Sequence, residues 1–245
     1  MVDFNKLREA KQRLDNPGNG KRNDLWKAPE NETTVIRLLP LNVDGIPFHE
    51  IYFHYGLGET LVCPRRTSGK QCPVCNFVSR LYEDSSEESK NLAREIRAKV
   101  RYFAAVALRD EEEAVARWYG ISKTNYNWLI ETMLDDDFGD ITDAKTGTDI
   151  KVTVTPKNPP QQLYPKTTFK AARKPSKYDN ADKLVAGLKD IWEVYPRKEY
   201  DDIKSILESY LDPNGEGSEN RELYGNKGKG TGSGQDKLEE KLAAL

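Results

Sequence analysis

Thiols and imidazoles are scarce in this 245-residue chain, which has three cysteines and two histidines. So few cysteines, and an odd number of them, make a poor disulfide framework and favour a reducing compartment where thiols stay free or bind metal. No run of about 18 apolar residues occurs. The opening "MVDFNKLREAKQRLD" lacks the apolar stretch of a secretory signal, so a soluble intracellular protein with no membrane partner is expected. Gly-rich nucleotide-binding motifs, paired-carboxylate sites and Ser-His-Asp patterns are also missing, and with only two histidines catalysis is not expected. Hydrophobic residues make up 37% against 32% charged, with a mean hydropathy of -0.78. Part of the chain is therefore expected to stay solvated rather than join a core.

What is present is unevenly placed. All three cysteines and one histidine fall in "HYGLGETLVCPRRTSGKQCPVCNF", giving His54, Cys63, Cys72 and Cys75. Zinc takes four tetrahedral ligands, and the Cys-x2-Cys of "CPVC" sets two thiolates on one edge of such a site. His54 and Cys63 can join them if "YGLGETLV" folds back as a hairpin over Gly56 and Gly58. His49 is the rival fourth ligand, less favoured because it shares a strand face with Ile51 and Phe53. A redox dithiol would need a βαβ context that the surrounding sequence does not offer. Four protein ligands leave no open position, so one structural Zn2+ is expected, propping up a basic loop that carries Arg65, Arg66 and Lys70.

The net charge of -2 hides segregation. "KNLAREIRAKVRYF" carries five basic residues against one acid, and "KTTFKAARKPSKY" five against none. Cations beside flat aromatic faces are what a single nucleic-acid strand needs, the cations along its phosphates and the rings under its bases. The candidate contacts are Arg97, Lys99, Arg101, Tyr102 and Phe103, then Arg117 beside Trp118 and Tyr119, then Phe169, Lys170, Arg173, Lys174 and Tyr178. Phe103 and Trp118 are the rings best suited to a core, and Phe169 and Tyr178 those best suited to stacking. The second basic segment reads as too Pro-broken to form a regular element.

"TTVIRLL", "FHEIYFHY", "KVRYFAAVALRD" and "TDIKVTVTP" read as strands, and "KTNYNWLIETML" and "EYDDIKSILESYL" as helices. Short strands with few connecting helices suggest a small barrel. The boundaries expected are an N-terminal arm and linker over 1–24, a core over 25–212 with a metal sub-domain at about 54–82, and a Gly-rich tail over 213–245 ending in the apolar stripe of "DKLEEKLAAL".

The order "LWKAPE", "VIRLLP", "PFHEIYFH", a lone Cys, "CPVC" and "RAKVRYFAAVALRD" resembles the gene 32 protein family, the single-stranded-DNA-binding proteins of T-even-type bacteriophages and cyanophages. The resemblance implies a mainly β fold with helices (α+β), an OB-type barrel with an inserted zinc-binding sub-domain and flexible termini. It implies a viral protein of the bacterial host's cytoplasm that coats single-stranded DNA in replication, recombination and repair. Zinc ligands would fall on His54, Cys63, Cys72 and Cys75, and aromatic DNA contacts on Tyr82, Tyr102, Phe103 and Tyr178. The arm would mediate self-association along the strand, and the tail would recruit replication or recombination proteins. Two features depart from the family: the basic-plus-hydroxyl motif survives only as hydroxyl-free "RAKVR", and lysines dilute the tail's acidity. A zinc-containing RNA-binding or regulatory protein is the alternative.

Overall fold

The computed structural model describes residues 24–211, and the expected arm and tail lie almost wholly outside them. The described chain is mixed α+β. Its eight strands are β1 (Leu25–Trp26), β2 (Thr33–Leu38), β3 (His49–His54), β4 (Leu61–Val62), β5 (Lys99–Leu108), β6 (Arg117–Ile121), β7 (Ile150–Thr155) and β8 (Lys166–Ala171). Its seven helices are α1 (Pro64–Ser68), α2 (Pro73–Glu83), α3 (Glu87–Ile96), α4 (Lys123–Leu134), α5 (Ala181–Ala186), α6 (Ile191–Val194) and α7 (Tyr200–Leu211). They fall into two compact units, a sheet unit of residues 24–49 with 102–194 and a helical unit of 50–101 with 195–211.

In the sheet unit the strand order is β1-β6-β5-β2-β7-β8. The β-branched "TTVIRL" forms the middle of this sheet, antiparallel to β5 on one side and to β7 on the other. Strand β7 shows why alternation specifies a face. Ile150, Val152 and Val154 are buried, while Lys151 and Thr155 are exposed. The sheet curls as a barrel must: β6 and β8 are four places apart in its order, yet the Tyr119 and Phe169 rings lie 6.1 Å apart. Helix α4 follows β6 after the Ser122 cap, whose hydroxyl accepts the Asn125 N–H at 3.3 Å. From that helix Asn125 donates to the Thr167 carbonyl of β8 at 3.2 Å, and Trp128 meets Phe169 edge-on at 5.9 Å.

The second basic segment corrects the sequence reading. Residues 166–171 are not irregular but form β8, in register with β7 from Ile150↔Ala171 to Thr155↔Lys166. Six pairs against a strongly alternating partner outweigh the neighbouring prolines, because Pro165 lies just before the strand and Pro175 beyond it. Phe169 and Lys170 consequently point to opposite faces.

Beneath the sheet, Arg37 is fully buried. One terminal nitrogen donates to the Asp143 carbonyl; the other lies 3.7 Å from the Asp149 carboxylate, an ion pair too long for a hydrogen bond, and neither it nor Nε has a hydrogen-bond partner. Burial pulls its pKa below the ordinary arginine range, and the Asp149 charge is the chief influence opposing that. The turn beside it has no room for a side chain. A Cβ on Gly147 would sit 2.5 Å from the guanidinium and 2.6 Å from the Ile141 carbonyl oxygen. Gly147→Ala is therefore expected to destabilise the fold by about 1–3 kcal/mol, or more if the turn cannot shift, read as a lower urea midpoint.

The helical unit has its own core. Ile203 and Leu207, one turn apart on α7, cluster with Val74, Phe77 and Leu81 of α2 and with Ala93 and Ile96 of α3. Cys63 and Cys72 belong to the same cluster, so any ion held there would be built into the packing.

Candidate metal centre and nucleic-acid surface

The hairpin that the spacing calls for is present. Strand β3 pairs antiparallel with β4, Phe53↔Val62 and His54↔Leu61. Gly56 and Gly58 turn the chain with φ of +83° and +86°, values that side chains other than glycine's adopt only with strain. Cys63 follows β4, its N–H bonded to the Tyr52 carbonyl at 2.7 Å, and caps α1 by accepting the Arg66 N–H on sulfur at 3.4 Å. Cys72 is the N-cap of α2, Pro73 starts the helix, and Cys75 lies in its first turn, where the helix dipole favours negative sulfur.

His54, Cys63, Cys72 and Cys75 converge with all ligand atoms within 4.8 Å of one another. Sγ of Cys63 and Cys75 are 3.4 Å apart, and His54 Nε2 lies 3.4 Å from Cys72 Sγ and 3.6 Å from Cys75 Sγ. A tetrahedral zinc with nitrogen and sulfur ligands has edges of about 3.5–3.8 Å, so the donor set matches such an ion in kind and in size. His54 Nδ1 lies 2.7 Å from the Ile96 carbonyl. Donation to that carbonyl fixes the tautomer and leaves the Nε2 lone pair facing the sulfurs. Three of the four residues are buried, and Cys75 is half-buried.

The proton equilibria show what the cluster lacks on its own. Burial alone would lower the His54 pKa, but hydrogen bonds to Cys63 and Cys72 and the charge on their sulfurs raise it to about 9. Hydrogen bonds from Cys72 and Cys75 hold the Cys63 thiol well below its usual range. The Cys75 thiol is driven up by the same sulfurs and by burial. One thiolate forms at its neighbour's expense, and three together require a cation. His49, the rival ligand, lies elsewhere, edge-on to Trp118 at 5.3 Å and to Trp192 at 6.1 Å.

Around the cluster, Arg65, Arg66 and Lys70 are exposed on α1 and the loop after it. Arg65 donates to Asn76 Oδ1, and Arg66 lies 5.7 Å above the Tyr52 ring. Tyr82, near the end of α2, is 46% exposed. Arg97, Lys99 and Arg101 are exposed at alternate positions entering β5, and Arg101 also bonds Tyr55.

In the sheet unit the proposed contacts separate. Tyr102 and Phe103 are both buried and face opposite ways. Tyr102 stacks on Tyr126 with ring centroids 3.7 Å apart, and Phe103 lies under Gly120, where an added Cβ would be 3.4 Å from its ring. Arg117 is half-buried and bound to both oxygens of Glu111 at 2.8 Å. Phe169 turns toward Tyr119 and Trp128, Lys170 outward; Arg173 and Lys174 are exposed, and Tyr178 lies beneath Arg109 with 4.5 Å from guanidinium to ring.

Sequence reasoning missed several rings. Trp26 packs on Tyr119 at 4.7 Å, extending the aromatic row that Phe169 and Trp128 continue. Tyr126 and Trp128 stand in "KTNYNWLIETML", where helical spacing suggests only a packing face. Tyr164 and Leu163, 79% and 65% exposed, lie between β7 and β8 in "PQQLYPK". An aromatic among prolines and glutamines is the signal that could have found that pair.

Fold and site together define an α+β protein with a closed Cys3His centre in one unit and basic, aromatic surface on both. The family described as gp32 DNA binding protein like matches residues 30–211, well over half of the chain, and the protein belongs to that family. Membership carries a single-stranded-DNA-binding role in general. No curated protein matches the chain. Among the described residues no helix is long and apolar enough to cross a membrane.

Proposed function

We propose that the protein coats single-stranded DNA with little sequence preference during phage replication, recombination and repair, in the cytoplasm of a bacterial host, as a binding protein without catalytic activity. One observation carries the reading. From Ile150 to Tyr178, through β7, β8 and the loop after them, the chain has Lys151, Lys157, Lys166, Lys170, Arg173, Lys174 and Lys177 and no acidic residue, with Tyr164 exposed among them. Cations neutralise phosphates and release counterions, and exposed rings stack on bases irrespective of sequence. Tyr126, Phe169 and Trp128 offer further ring faces, and Arg65, Arg66, Lys70, Arg97, Lys99 and Arg101 a second cationic surface in the helical unit. The ion at His54, Cys63, Cys72 and Cys75 is Zn2+ in a structural role, because three thiolates and one imidazole suit it and leave no position for substrate. Self-association through residues 1–24 and partner recruitment through 213–245 belong to the same proposal and lie outside the described structure.

Fluorescence titration with oligo-dT, RNA and duplex competitors tests this. Affinity should fall with rising salt, with a log–log slope of about -0.7 per phosphate neutralised, and single-stranded DNA should compete best. Tyr164→Ala should weaken oligo-dT binding by about 1–2 kcal/mol while leaving the thermal midpoint in place, since the ring is exposed. Equal affinity for duplex would refute the single-strand reading, and strong ribose dependence would favour an RNA-binding protein.

A further inference from the structure

The loop that follows β8 is fastened by a polar network of the sheet unit. Its backbone donates at three points: Ala172 N–H to the Asp149 carbonyl at 2.8 Å, Ser176 N–H to Gly147 at 2.9 Å and Tyr178 N–H to Ala144 at 2.8 Å. Arg109 closes over it. The Arg109 Nε donates to Asp149 Oδ1 at 3.0 Å, and one terminal nitrogen lies 2.9 Å from the same oxygen and 2.5 Å from Ser176 Oγ. That nitrogen also reaches the Ser176 and Lys177 carbonyls at 3.4 and 3.3 Å. Ser176 Oγ–H donates to the other carboxylate oxygen, Asp149 Oδ2, at 2.7 Å. The guanidinium face rests on the Tyr178 ring, so most of its donors and one of its faces are occupied within the protein.

We propose that Arg109 and Ser176 are positioning residues for DNA binding, holding the 172–178 loop so that Arg173 and Lys174 meet the phosphates of a single strand, and that Arg109 itself touches no phosphate. The inference rests on the reading of that loop as a DNA contact. A loop left loose would have to be ordered at the moment of binding, and that entropy would be taken from affinity. Held in advance, Arg173 and Lys174 stand exposed in a fixed place while Arg109 is engaged by Asp149, a carboxylate it shares with Arg37.

The test uses the full chain with oligo-dT over a salt series, comparing Arg109→Gln, Arg109→Lys, Ser176→Ala and the double variant Arg173→Gln/Lys174→Gln. Arg109→Gln should raise Kd about 5- to 20-fold and Ser176→Ala about 2- to 5-fold, the scale expected for losing preorganisation of a few side chains. Their salt slopes should match the wild type, since the phosphates neutralised do not change in number, and the Ser176 and Tyr178 amides should exchange faster. Arg109→Lys, which keeps charge but not the fork, should resemble Arg109→Gln. The double variant should flatten the slope by about 1.4, or 0.7 for each lost phosphate contact. A slope reduced by about 0.7 in Arg109→Gln and restored in Arg109→Lys would make Arg109 a contact and overturn the proposal. Faster exchange with unchanged affinity in both Arg109→Gln and Ser176→Ala would overturn it too. A double variant with unaltered slope and affinity fails differently, because it removes the loop from the DNA surface and the proposal with it.

Discussion

Cys72→Ser should release the metal and unfold the helical unit. Structural zinc in small Cys/His sites contributes roughly 10–16 kcal/mol of apparent binding free energy, about as large as the whole stability of a typical domain. Cys72 and Cys63 are fully buried in the same apolar cluster as Phe77, Leu81, Ile96 and Leu207, so a hydroxyl in place of the thiolate loses the ligand and also leaves a buried polar group in that core. Native mass spectrometry should find one zinc in the wild type and none in the variant. Amide protection over about residues 61–96 should collapse, and strong chelation of the wild type should do the same, with DNA affinity falling as a secondary effect. A metal-free wild type that melts like the metal-loaded protein would refute the structural role.

Asp149→Ala should have the next largest effect, about 3–5 kcal/mol of lost stability, because it strands a buried cation. Arg37 is completely buried, and Asp149 is the carboxylate that faces it, at 3.7 Å. The same side chain anchors Arg109 and Ser176. A double-mutant cycle separates the two roles. With Arg37→Met the buried charge is gone, and Asp149→Ala on that background should cost less than it does alone. Additive losses in a urea titration would show that Asp149 acts mainly through Arg109, not through Arg37.

These two sites differ in how far they could be read from residues alone. The metal centre is local: "CPVC" sets two ligands at a helix start, and Gly56 and Gly58 bring His54 and Cys63 back within a short hairpin, so spacing carries nearly all of it. The strands β2, β5 and β7 and the helices α4 and α7 follow equally from alternation and period. The Arg109 network joins residues 40 and 67 positions apart, and no local pattern marks it. Strand β8 escaped because its own composition is that of a loop, and its partner β7 decides its conformation. Tyr102 and Phe103 show the converse limit, since adjacent aromatics in a strand must face apart, and burial, which sequence does not display, decides which ring a base can reach.

His49 has an optical consequence. Its imidazole stands edge-on to the indoles of Trp118 and Trp192, whereas Trp26 and Trp128 belong to the aromatic row around Tyr119 and Phe169. Half of the chain's four tryptophans thus stand against an imidazole, a neighbour that can quench an excited indole with no ligand present. The remaining two are the emitters whose quenching would report an arriving base, and Trp118→Phe/Trp192→Phe would leave them as the only tryptophan signal.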